Sequence, residues 1–156
     1  MLVSQNHTIA DIGAYNQSLL TVLERFAPGN SLQEQETLQQ MCSRLQLDAN
    51  FVVSVLQAFD APGSVAPASF ARHPISDILR YLQITHRYYL DTRLLQIEYS
   101  IEKILAATHL PVDRPTMVLA RHFFFVYKVE LTQHIMKEEA RLFPYIKNLL
   151  QPPADQ

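Results

Sequence analysis

Residues 76–108 contain neither proline nor glycine, and their apolar side chains return at helical spacing: Leu79, Leu82, Leu90, Ile97, Ile101 and Ile104. The pattern predicts one long helix. The break HLPVDRP at 109–115 carries two prolines, and a second helical pattern follows from about residue 116 to 150, closed by Pro152 and Pro153. At 1.5 Å per residue, each helix would extend roughly 45 Å or more. No strand-like alternation and no internal repeat stands out. The fold class expected is therefore all-α. Two antiparallel helices cover each other along a single stripe, so a hairpin of this length leaves an apolar face to be covered. The N-terminal helices look too short for that task. A second copy of the chain is expected to cover the face, completing a four-helix bundle as a homodimer.

The leading segment differs in texture. Residues 1–60 read as a small domain of short helices: QSLLTVLERF, then a helix opened by Thr37 with Gln40 at capping-box spacing, then DANFVVSVLQAF beginning near Asp48. Residues 61–75 concentrate Pro, Gly and small residues and read as a linker, with the hairpin over 76–151. Residues 1–60 carry only Arg25 and Arg44 against Asp11, Glu24, Glu34, Glu36, Asp48 and Asp60. A nucleic-acid-binding surface needs clustered cations, so this helical unit is not expected to bind DNA or RNA. Nothing in the 156 residues resembles a membrane span, and the N-terminus has no basic region followed by an apolar one, so a cytoplasmic location is expected. Cys42 is the one cysteine, which excludes an internal disulfide and any cysteine-rich zinc site. Metal ligands would have to be histidine and carboxylate.

Such residues lie on the predicted seam. Tyr127, Leu131, His134, Glu138, Leu142 and Tyr145 follow steps of three and four on the second helix, so His134 and Glu138 are expected to point inward one turn apart. Glu139 is one position off and expected to be more exposed. On the first helix His86 is in step with Leu79, Leu82 and Leu90. Antiparallel packing would bring the two imidazoles and the carboxylate together, a donor set that suits iron, manganese or zinc. In a twofold dimer the set doubles, and each Glu138 could bridge two ions. Spacing leaves a second reading open, because a buried His paired with a Glu is also a common structural contact.

The string HIMKEEARLFPYI, with His86 in YLQITHRYYL, resembles the hemerythrin-like cation-binding helices, and in particular the di-iron proteins of the "repair of iron centres" family. The segments TIADIGAYNQSLLTVLERFAP and ETLQQMCSRLQLDANFVVSVL are similar to that family's small leading domain, so the resemblance spans nearly the whole chain. It implies His86, His134 and Glu138 as ligands of non-haem iron, with Glu138 as a carboxylate bridge. Two departures limit it. The family's Cys-Cys pair in the leading domain is replaced by Ala27, Pro28, Gly29 and Asn30, and the chain has one hairpin with one ligand set where full-length members have two. Glu130, one turn before His134, is expected at a solvated rim, His109 and His122 off the ligand face, and Tyr88, Tyr89 and Tyr127 at the core or rim.

The resemblance implies a di-iron protein that binds O2 or NO, or answers oxidative stress, or serves an iron–sulfur protein client in cluster repair. No organic substrate pocket is legible, and enzyme status stays open. The alternative is a metal-free regulatory or scaffolding module that holds a protein partner.

Overall fold

The computed structural model describes residues 2–27, 31–61, 67–107 and 114–150. The described residues are helical and include no strand, in agreement with the all-α expectation. By its internal contacts the chain forms two units, Met1–Ile84 and Thr85–Gln156.

The first unit opens with α1 (Ile9–Tyr15), α2 (Gln17–Phe26), α3 (Leu38–Leu45) and α4 (Ala49–Asp60). The capping box expected at Thr37 is present: Thr37 accepts from the Gln40 N–H while Gln40 accepts from the Thr37 N–H; Asp48, near which the next helix was expected to begin, caps it by accepting from the Phe51 N–H. The sequence pattern missed α1, which Thr8 and Asp11 open with the same reciprocal box. No repeat stands out in the sequence, yet the backbone has one. Ile9 N donates to Glu36 O (2.9 Å) and Ala10 N to Glu34 O (3.0 Å), while Leu38 N donates to His7 O (2.9 Å) and Gln39 N to Gln5 O (2.9 Å). Each helix start is thus capped by the loop that leads into the other. This satisfies N–H groups that a helix cannot satisfy internally. Between the helices lies a core that includes Ile12, Leu23, Leu38, Met41, Val52 and Leu56.

In the stretch read as linker, Pro67–Arg72 forms a 3-10 turn, and Phe70 and His73 lie against the Phe51 ring. Residues 62–66 fall outside the described residues. α5 (Ile75–Tyr88) follows, and its Tyr81 stacks on Phe26 at 5.2 Å and meets Phe51 edge-on at 6.0 Å. The first turns of α5 therefore belong to this core.

The second unit contains the end of α5, α6 (Leu94–Ala107), α7 (Arg114–Lys137) and α8 (Phe143–Leu149). The two long helices expected from the pattern are each interrupted by one π-helical turn, at Tyr89–Arg93 and Glu138–Leu142. There Leu94 N–H reaches back five residues to Tyr89 O, and Phe143 N–H to Glu138 O. Pro144 explains the second turn: it has no N–H to close the next α-type bond, and its ring crowds the carbonyl four residues back. No proline accompanies the first. Cross-helix pairs run in opposite directions, His86 with Glu138 and Glu139, Glu98 with Lys128 (2.7 Å), Glu102 with Arg121 (3.6 Å). The unit is an antiparallel hairpin. The break at 109–113 lies outside the described residues.

Two outcomes test the first unit. Gln46, at the end of α3, has φ 55° and ψ 47°, a left-handed conformation that costs a side-chain-bearing residue about 1 kcal/mol. Gln46→Gly is expected to raise unfolding free energy by roughly 0.5–1 kcal/mol in urea, and Gln46→Val to lower it. Hydrogen bonds from Asn16 and Tyr15 hold the Asp60 carboxyl below its ordinary value, as those from Thr8 do for Asp11. A depressed folded value means this stability is complete above about pH 4 and is lost as pH falls through the folded value. Asp60→Asn should flatten the fall of the urea midpoint between about pH 5 and about pH 3.

Candidate metal centre

His86 lies near the end of α5, just before the first π turn, and Glu138 and Glu139 open the second. The imidazole is buried, 9 % exposed. Its Nε2 lies 3.2 Å from Glu138 Oε2 and its Nδ1 2.9 Å from Glu139 Oε1. The other oxygen of Glu138, Oε1, lies 3.1 Å from His134 Nε2. Phe143 stacks nearly parallel on the His86 ring, 5.6 Å between centroids and 6° between planes. The structure therefore brings together all three residues expected as ligands.

Two details differ from expectation. His134 does not point inward: its side chain is 68 % exposed. The closed seam of the second unit runs instead through Leu94, Phe124, Ile135 and Phe143, while Tyr127, Leu142 and Tyr145 are exposed. The reason is the hairpin itself, which shuts one stripe and leaves the neighbouring one open. Glu139 is, as expected, the more exposed of the two carboxylates, 34 % against 27 % for Glu138, yet both reach His86. The signal that could have found it is the Glu-Glu tandem just upstream of Pro144.

The remaining residues are placed as follows. Glu130 and His122 are exposed, and Tyr88 and Tyr89 are half-buried and edge-on at 6.0 Å. His109 lies outside the described residues. A separate cleft of about 420 Å³ between α6 and α7 is lined by Glu98, Glu102 and His122, but there Lys128 and Arg121 pair the carboxylates. Among the described residues no helix is long and apolar enough to cross a membrane.

Whether the donors suit a metal can be judged from their chemistry. A neutral imidazole donates from one nitrogen only, so His86 can donate to one of its two carboxylates and turns a lone pair toward the other. A proton or a cation between them removes that repulsion. Two ligands about 2.1 Å from one ion and at right angles lie roughly 3.0 Å apart, close to both nitrogen–oxygen distances to Glu138. The residue types suit such an ion, and the same spacing is also that of a direct hydrogen bond. No group of three or more His, Cys, Asp or Glu among the described residues, however, is already arranged to hold an ion. His86, Glu138 and His134 form a chain of pairs rather than a closed shell. Comparison with family models, curated proteins and solved structures returns no match.

Cys42 lies in the core of the first unit, where burial first, then the charges of Asp48 and Glu36, push its thiol up to about 11. Thiol chemistry needs the thiolate, so the native side chain should be inert. At about pH 8 a disulfide reagent is expected to label the folded protein at least roughly 100-fold more slowly than the urea-unfolded chain. Equal rates would show that the site is open.

Proposed function

We propose that this chain is a non-haem iron-binding protein with a hemerythrin-like centre, held by His86, His134 and Glu138 and completed when two hairpins pair into a bundle. The observation that carries the reading is Glu138 set between the two imidazoles, one oxygen toward each Nε2. His86 and His134 would supply neutral nitrogen donors, and Glu138 a carboxylate able to bridge. Bound there, iron would supply open positions for O2, NO or a reactive oxygen species, in a stress-response or iron–sulfur cluster repair role. The buried Cys42 supports no part for this chain's own thiol in such repair.

Pairing of two copies is supported by the open stripe in line with His134. Leu119, Phe123, Tyr127, Leu142 and Tyr145 are all 45 % or more exposed. Burying such a side chain contributes about 1.5–3 kcal/mol, so a handful on each copy can offset an association cost of roughly 4–15 kcal/mol. A twofold axis beside this stripe would double the ligand set and cover His134. A second reading has its own support. His86, Glu138 and His134 already pair with one another without a metal, as they would in a metal-free regulatory or scaffolding module.

Anaerobic reconstitution with Fe(II) is expected to give about one iron per chain and a dimer mass in solution. His134→Ala/Glu138→Ala should lose most of that iron, and Phe123→Glu should shift the mass toward monomer and reduce iron with it. A well-folded wild type that takes up no iron, or iron retained undiminished in the double variant, would favour the metal-free module.

A further inference from the structure

Glu139 stands beside the proposed ligand set without belonging to it. His86 could offer either ring nitrogen to a metal, and the choice depends on what the other one meets. A ring flip would exchange Nδ1 and Nε2 for carbon atoms and lose both carboxylate contacts. The parallel Phe143 ring restrains the plane of the imidazole but is indifferent to a flip within it. The contact that distinguishes the two orientations on the far side from Glu138 is Nδ1 to Glu139 Oε1, 2.9 Å, made at a side chain only 11 % exposed.

We infer that Glu139 is a positioning residue: by accepting the His86 Nδ1 proton it fixes the tautomer and orientation that turn the Nε2 lone pair toward Glu138. The π turn is what makes this geometry available. In an unbroken α-helix Glu138 and Glu139 would diverge by a larger angle, and one carboxylate would leave the ring. A hydrogen bond of this kind also raises the basicity of the nitrogen that faces the metal, and its loss commonly weakens metal affinity 10–100-fold. The effect on affinity rests on the iron-binding reading above, whereas the tautomer is a property of the metal-free chain.

Two measurements keep these apart. In the metal-free protein at about pH 9, long-range proton–nitrogen correlation of the His86 ring should show the Nδ1-protonated tautomer in wild type and a shift toward Nε2-protonated in Glu139→Ala. In anaerobic Co(II) titrations followed by visible absorption, Glu139→Ala should bind about 10–100-fold more weakly than wild type. Glu139→Gln keeps an acceptor oxygen and should recover most of the tautomer and part of the affinity, which a merely structural role would not require. Should Glu139→Ala fail to fold, Glu139→Gln and Glu139→Asp carry the comparison. An Nε2-protonated His86 in wild type, or an unchanged tautomer in Glu139→Ala, overturns the inference. Absence of Co(II) binding by wild type overturns the metal reading instead, and the nitrogen spectra still decide the role of Glu139.

Discussion

The buried imidazole of His86 faces a carboxylate at each ring nitrogen, and a neutral ring can donate to only one of them, so the other contact calls for a proton or a cation. A hairpin of two regular helices would bring one carboxylate to the ring. The π turn at Glu138–Leu142 brings two. Proline at 144 favours that turn, Phe143 packs flat on the ring, and the Phe143 N–H closes the turn on the Glu138 carbonyl. The Leu-Phe-Pro triplet thus helps build the polar centre although none of its side chains can act as a ligand.

The same contacts explain why the centre is lopsided. His86 is enclosed on its own chain, whereas His134 meets Glu138 on the open side of the hairpin. The exposed apolar stripe beside His134 is large for a surface that faces only water. A hairpin cannot close both of its stripes, so whatever covers the second one also sets the surroundings of His134. Under the proposed reading, ligand chemistry and association would be coupled through one helix face.

The first unit follows a different logic. Two helix pairs face each other through reciprocal backbone bonds at the starts of α1 and α3, and Thr8 and Thr37 meet at the bridge between them. Its hydrogen-bonded carboxylates and its buried thiol serve the fold: Asp11 and Asp60 tie turns to helices, and Cys42 fills the core.

What the sequence by itself determined is what depends on near neighbours. Helical class, the capping box at Thr37, and the His134–Glu138 pair follow from interactions within four residues, which a spacing rule can read. His86 was legible as a seam residue for the same reason. Tertiary structure decided the rest. The bonds between the starts of α1 and α3 join residues distant in sequence, and the side chains that repeat with them, Thr8 and Asp11 against Thr37 and Gln40, are too few to announce the pairing. The closed seam shifted to Phe124, Ile135 and Phe143 because the facing helix, not the period of α7, selects which of two adjacent apolar stripes is buried. Glu139 meets His86 at the start of a turn widened by a residue, a change of backbone register that periodicity assumes away.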